Sequence, residues 1–139
     1  TAALATMIVW NADTAGDNVF ISFGTEASFS GRGGIDYNRG GGLVRYNTTS
    51  DARLKTNIVD APSASDIIDR IRVRSFDWRH GGHLDHWVVA QELYRVCPIA
   101  VSVGDDERDW SVDPSKLVPL MIKEIQDLRV RVKTMETLH

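Results

Sequence analysis

The chain has 139 residues, of which 42% are hydrophobic and 25% charged, and its formal net charge is -3. These values are typical of a globular protein and exclude a disordered chain. No apolar run reaches the roughly 18 residues of a transmembrane helix, so we expect no membrane insertion. The acidic balance excludes a broad nucleic-acid surface, which would need clustered Lys and Arg. Because the chain begins with Thr1 rather than Met, we expect a fragment or a processed product.

The first 50 residues contain most of the glycines and no lysine. Short apolar or alternating runs separated by Gly, Asn and Asp predict strands at residues 7–10, 19–23 and 43–46. So few strands, so rich in glycine, cannot bury a good core alone. We therefore expect this segment to borrow its core from other copies of itself.

Residues 51–112 read as mixed α and β structure. The pattern predicts a helix at 67–71 with an N-cap candidate in 63–66, a strand at 72–78, a Gly81–Gly82 turn, a helix at 91–96 that Pro98 ends, and a solvated turn at 104–109. The single cysteine, Cys97, lies in an apolar setting, which predicts a buried structural thiol.

Residues 113–138 predict one long helix, with Asp113 as N-cap and Pro114 in the first helical position. Its apolar residues are spaced by three and four, which is the seam of a heptad repeat. The seam consists of Val118, Met121, Ile125, Leu128, Val132 and Met135. Both a self-associating coiled coil and a helix lying on its own domain fit this pattern.

The junction between the glycine-rich part and the rest carries a hydroxyl and an amine, Ser50 and Lys55. A serine nucleophile needs a base within hydrogen-bond reach, and a lysine can serve when burial or a nearby cation such as Arg53 favours its neutral form. On a regular helix the two side chains would point apart. A dyad therefore needs a turn between them, or Lys55 from another subunit. Asp51 could orient Lys55 or shape the turn.

Four stretches in order carry a family resemblance. Residues 50–58 read SDARLKTNI, and the later stretches are SFDW at 75–78, VAQEL at 89–93 followed by CPIAV at 97–101, and VDPSKLVPLMIKEIQDL at 112–128. Together they resemble the C-terminal intramolecular chaperone domains of phage endosialidases, neck appendages, tailspikes and tail fibres, most of all an L-shaped tail fibre. The first stretch resembles the signature Ser-Asp-x-Arg-Leu-Lys-x-Asn-Ile that opens these domains.

The resemblance implies an α+β homotrimer in three parts. Residues 1–49 would end a fibre stem built as an intertwined triple β-helix or β-prism, 50–112 would form the chaperone body, and 113–139 the trimerising coiled-coil helix. The chaperone would fold its own stem in the host cytoplasm and then release itself as a single-turnover serine endopeptidase, leaving the stem in the virion tail fibre. Ser50 would be the nucleophile and Lys55 the base, with no cofactor.

The bond that breaks can be argued from ring size. Attack by Ser50 on the Thr49 carbonyl closes a five-membered ring, whereas attack on its own carbonyl would close a four-membered one. Within one chain the Thr49–Ser50 bond is therefore preferred. Ser50 of a neighbouring subunit could still attack the Ser50–Asp51 bond, so both remain open.

Other readings compete with self-cleavage. The chain could be a non-cleaving trimerisation and receptor-binding tip, or part of a membrane-linked transcription factor that uses the same module. His80, His83, Asp85 and His86 could bind zinc or nickel, but a surface hairpin fits equally well and we expect no metal. The four tryptophans, Trp10, Trp78, Trp87 and Trp110, are scattered, which favours core or interface packing over a sugar platform.

Overall fold

The structure, a computed structural model, describes residues 7–138. The chain divides into two compact units, Thr1–Ile58 and Val59–His139. The fold is mixed α and β, with small antiparallel sheets and one long C-terminal helix, as expected. The multi-chain stem, the coiled coil, the trimer and the three-part division at residues 49 and 112 remain predictions.

Three antiparallel strands form the first unit: β1 (Asn18–Thr25), β2 (Ser30–Asn38) and β3 (Leu43–Thr48), in the order β1-β2-β3. The strands predicted at 19–23 and 43–46 are thus confirmed. The strand predicted at 7–10 is wrong. No described strand pairs with this segment, and Met7 and Trp10 are 72% and 84% exposed.

The central strand β2 was missed because its glycines predicted turns. These glycines instead allow the strands to approach closely. A Cβ on Gly33 would lie 2.2 Å from the Asn47 carbonyl oxygen, and one on Gly34 would lie 2.5 Å from the Ile21 carbonyl oxygen. Glycine in a strand interior marks such close backbone approach. The same residues that weaken the strand's propensity therefore fit it between its neighbours.

The sheet has one apolar and one polar face. The register aligns Ile21, Ile35 and Tyr46 across the three strands, and alternation puts them on the same face. On the opposite face, Arg45 and Asp36 form a 2.7 Å ion pair. Within residues 7–58 only Asn18 is buried, and no hydrophobic side chain is. As expected, this segment buries no apolar core by itself.

The second unit has a small core of Leu93, Cys97 and Ala100, all at most 4% exposed. The predicted burial of Cys97 is confirmed. The elements of this unit are α1 (Ser65–Arg70), the hairpin β4 (Arg74–Asp77) and β5 (His83–Trp87), α2 (Ala90–Tyr94), the pair β6 (Val101–Ser102) and β7 (Ser111–Val112), and α3 (Val118–Thr137).

Several boundaries in the second unit differ from those predicted. The N-cap position of α1 is Ala64, whose side chain cannot accept a hydrogen bond, and Ser65 Oγ donates to Glu124 on α3 at 2.6 Å. The predicted strand at 72–78 keeps only its middle, β4. The predicted helix at 91–96 begins and ends earlier, as α2. The strands β6 and β7 have two residues each, too few for a periodic pattern to indicate them.

The C-terminal helix begins with a 3-10 turn, Pro114–Leu117, and continues as α3. Asp113 Oδ1 accepts a hydrogen bond from Ser115 N at 3.0 Å, as expected of an N-cap. All six seam residues are exposed in the single chain, from 42% for Leu128 to 56% for Ile125. No helix within residues 7–138 is long and apolar enough to cross a membrane.

Candidate active site

A tight turn follows directly after β3. The Asp51 carboxylate accepts a hydrogen bond from Arg53 N at 2.8 Å and caps the 3-10 turn Ala52–Leu54. Leu54 N and Lys55 N then donate to the carbonyls of Asp51 and Ala52, at 3.1 and 3.0 Å. The backbone therefore folds back on itself within the four residues that separate Ser50 from Lys55.

This turn brings the two candidate catalytic groups together in one chain. Lys55 Nζ donates to Ser50 Oγ at 2.6 Å and to the Ser50 carbonyl oxygen at 3.1 Å. Of the two routes that the sequence left open, a turn or a second subunit, the structure has the turn. Both side chains are exposed to solvent in the single chain.

The two charged neighbours of the dyad neutralise each other. Arg53 forms a bidentate ion pair with Asp51, with Nε–Oδ1 at 3.0 Å and Nη2–Oδ2 at 2.7 Å. The side-chain hydrogen bond from Arg53, its backbone N–H, and the charge of Lys55 lower the pKa of Asp51, in that order of importance. Asp51 thus stays ionised and shapes the turn. No hydrogen bond links its side chain to Lys55 among the described contacts.

The residue before Ser50 is held on the sheet. Thr49 N donates to the Arg32 carbonyl at 3.0 Å, and Thr49 Oγ1 donates to the Gly31 carbonyl at 3.3 Å. The Thr49–Ser50 peptide therefore joins an anchored residue to the start of the turn. Sequence reasoning missed both anchoring carbonyls because they lie 17 and 18 residues upstream, in the strand whose glycines predicted turns.

A second hydroxyl, imidazole and carboxylate come together on the β4–β5 hairpin. His83 Nδ1 lies 2.7 Å from Asp77, and its Nε2 lies 3.2 Å from Ser75 Oγ but 2.9 Å from Asp85. Hydrogen bonds to Asp77 first and Asp85 second raise the pKa of His83. Both ring nitrogens of His83 face carboxylates, and Nε2 lies closer to Asp85 than to Ser75 Oγ, whereas a catalytic triad leaves one ring nitrogen to accept the serine proton. This cluster is therefore not arranged as a catalytic triad.

The histidine cluster does not form a metal site in the described part of the chain, where no three His, Cys, Asp or Glu residues are arranged to hold an ion. His83 bonds to Asp77 and Asp85, without His80 or His86.

The tryptophans are less scattered than the sequence suggested. Trp78, Trp87 and Trp110 line one groove of about 700 Å³. Trp10, Trp78 and Trp87 are at least 40% exposed, so core packing is wrong for them, whereas packing in an interface stays a prediction.

Comparison with known proteins finds a family model that matches part of the chain. Residues 50–102 match the family model described as chaperone of endosialidase, and the match begins at Ser50. Searches of curated proteins and of solved structures gave no match to the chain. The match to the family model supports an intramolecular chaperone domain of this kind beginning at Ser50, as the sequence resemblance implied.

Proposed function

We propose that the chain is the end of a trimeric phage tail fibre or tailspike, in which the chaperone part folds the stem and then cuts itself off at Ser50. The contact of 2.6 Å between Lys55 Nζ and Ser50 Oγ carries this proposal. It lies at the first residue of the family match, one residue after the anchored Thr49. A nucleophile and a base are thus adjacent at the boundary between the glycine-rich sheet and the chaperone.

The reaction starts when neutral Lys55 takes the proton of Ser50 Oγ. The oxygen attacks the Thr49 carbonyl carbon through a five-membered ring, and the C–N bond breaks as Lys55 returns the proton to the leaving nitrogen. The result is an ester between Thr49 and Ser50 Oγ and a free Ser50 amine. Water then hydrolyses the ester, which leaves a carboxylate on Thr49. Lys55 acts first as the base and then as the acid, so one group suffices for both proton transfers.

The single chain lacks the burial or the unpaired cation that would make Lys55 a base, and we expect assembly to supply this environment. An amine acts as a base only when it is neutral, and burial or an unpaired cation favours that form. Lys55 is exposed, and Arg53 is neutralised by Asp51. We therefore expect cutting to wait until three chains enclose the junction, which ties release to completed folding.

Two uncovered surfaces support self-association. The apolar face of the β1-β2-β3 sheet has no core of its own, with Phe23 54% and Tyr46 81% exposed. The α3 seam is likewise exposed. Three intertwined sheets would cover the first surface and a three-stranded coiled coil the second. Removing the chaperone after folding leaves a product protected by a high unfolding barrier.

The second hydrogen bond of Lys55 favours a different bond as the alternative. The amine also contacts the Ser50 carbonyl oxygen at 3.1 Å, and an ammonium group there would polarise the Ser50–Asp51 peptide for attack by another subunit's serine. The two routes give different products. Only cleavage through an ester at Thr49 lets hydroxylamine capture the fragment 1–49 as a Thr49 hydroxamate.

The test compares the parent chain with Lys55→Arg and Lys55→Met by denaturing and native mass spectrometry, with and without hydroxylamine. We expect the parent to be trimeric and cut, and both variants to be trimeric and uncut, because losing a general base costs about 10²- to 10⁴-fold in rate. Lys55→Arg keeps the positive charge and cannot act as the base. If it cuts as fast as the parent, the proposed role of Lys55 fails. Uncut trimers of every chain would favour a non-cleaving tip.

A further inference from the structure

Three arginines surround one depression on the second unit. Arg70, Arg72 and Arg95 line a cavity of about 430 Å³ between the end of α1 and the end of α2, together with Asp69 and Glu92. None of the three guanidinium groups forms an ion pair or hydrogen bond with another described residue, and all three side chains are exposed.

The carboxylates beside these arginines do not balance them. Glu92 is already bound by Arg74, with two hydrogen bonds of 2.9 and 2.7 Å. Hydrogen bonding by Arg74 is the largest cause of the lowered pKa of Glu92, and Arg72 and Arg95 add smaller effects by charge alone. Of the two carboxylates that line the depression, this leaves Asp69 to balance the charge of three guanidinium groups. The depression therefore has an excess of positive charge on a chain whose net charge is negative.

The opposite charge is concentrated in the loop between β6 and β7. Asp105 accepts hydrogen bonds from Glu107 N and Arg108 N at 3.0 Å each and pairs with the Arg108 side chain. These contacts shape the loop and neutralise Arg108. Asp106, Glu107 and Asp109 then remain exposed, and their carboxylates have no bonding partner among the described residues.

We propose that the arginine depression of one copy receives this acidic loop of the next copy, so that the pair forms a charged contact between subunits. The inference rests on the proposed trimer. A ring of three identical subunits closes through heterologous contacts, in which two different patches of the chain meet. Three unpaired cations and three unpaired carboxylates on one chain provide two such patches. Guanidinium groups suit this role because they bind carboxylates in a two-pronged geometry.

The test is a charge-reversal cycle in the full chain carrying Ser50→Ala, so that cutting does not change the species present. The first variant carries Arg72→Glu and Arg95→Glu, the second Asp106→Arg and Glu107→Arg, and the third all four changes. Sedimentation measures the dissociation of the assembly at 50 and 500 mM NaCl, and circular dichroism checks that each variant is folded. A further variant, Arg72→Gln with Arg95→Gln, removes the charges without creating repulsion.

We expect each reversal to weaken association at least about tenfold at low salt. In the variant with all four changes, the affinity of association should recover to within about threefold of that of the Ser50→Ala chain. The Gln variant should weaken it less, and high salt should shrink every difference. The inference is overturned if the reversals leave association unchanged, or if their effects add without recovery. In either case the trimer itself would still stand. A starting chain that stays monomeric would instead overturn the proposed assembly together with this contact.

Discussion

The two glycines in the middle of β2 allow a sharp test of how the sheet supports the candidate cleavage site. Gly33→Ala would place a Cβ 2.2 Å from the Asn47 carbonyl oxygen and 3.3 Å from the carbon of the same group. Both are backbone atoms of β3, so no side chain can rotate away. Gly33 pairs with Thr48, the residue before the anchored Thr49. The strain therefore falls directly beside the candidate scissile bond.

The cost follows from that distance. An ordinary C···O contact is about 3.3 Å, so β2 and β3 must separate locally by roughly 1 Å, enough to break the neighbouring ladder hydrogen bonds. Overpacking of this kind costs about 1–3 kcal/mol. Replacing glycine by alanine also stabilises the folded state by about 0.4–1 kcal/mol, because alanine restricts the conformations of the unfolded chain. Because the close contacts are with backbone atoms, we expect the overpacking cost to lie in the upper half of its range, so that about 1–2 kcal/mol remains. This corresponds to local opening that is about 5- to 30-fold more frequent.

Hydrogen exchange measured by mass spectrometry reads this opening directly. In the Ser50→Ala background, we expect the segment 43–49 to exchange about 5- to 30-fold faster in Gly33→Ala. Gly40→Ala is the matched control, because its added Cβ meets no atom within 4 Å and its φ is not positive. Equal exchange in Gly33→Ala and the control would refute the close strand approach and, with it, the anchoring of Thr49 by β2.

Three further changes test other parts of the account. Asp51→Ala should slow cutting several-fold, whereas Asp51→Asn should cut at least as fast as the parent, because asparagine caps a turn about as well as aspartate and leaves Arg53 unpaired near Lys55. A time course of fragment formation measures both, and equal rates for Ala and Asn would contradict the capping role. The raised pKa of His83 means that its ion pairs with Asp77 and Asp85 stabilise the β4–β5 hairpin fully below about pH 6.5, and that this stabilisation is lost as the pH rises through the folded-state pKa. Hydrogen exchange in residues 74–87, corrected for intrinsic rates, should therefore accelerate toward high pH in the parent but not in His83→Gln. A parallel response in both chains would exclude this cause. Leu93→Ala should destabilise the second unit by about 2–5 kcal/mol, because Leu93 is 2% exposed in the core, whereas Ile99→Ala at a 75% exposed position should stay within about 0.5 kcal/mol; urea unfolding followed by circular dichroism checks the pair, and similar midpoints would contradict the assigned core.

Local signals predicted several elements of the fold correctly. The alternation around residues 19–23 and 43–46 indicated β1 and β3, and the Asp113 cap indicated where the C-terminal helical segment begins. These features depend on residues that are close in sequence, which a pattern can register. The apolar setting of Cys97 likewise predicted its burial.

The missed features depend on contacts between distant residues. Strand β2 is specified by the approach of two neighbouring backbones, and composition alone made its glycines look like turns. The segment 7–10 has the composition of a strand, but a strand exists only where a partner supplies hydrogen bonds. The groove lined by Trp78, Trp87 and Trp110 could not be seen in a sequence where these residues are up to 32 positions apart.

The candidate site lies between these cases. The motif beginning at Ser50 singled out the serine and the lysine, and the sequence left two ways to bring them together, a turn or a second subunit. It could not show that Asp51 builds that turn by capping Arg53 N, nor that Arg53 is thereby neutralised. It also could not show that Thr49 is tied to Arg32, because that hydrogen bond closes a long loop.

The most direct test of self-cleavage at Ser50 is the intact mass of the parent chain and of Ser50→Ala, expressed and measured side by side under denaturing conditions. We expect two fragments from the parent, with masses that match residues 1–49 and 50–139, and one full-length chain from Ser50→Ala. Fragments that meet between Ser50 and Asp51 would move the cut to the neighbouring bond. Cleavage of Ser50→Ala at the same rate as the parent would contradict the role of Ser50 as the nucleophile.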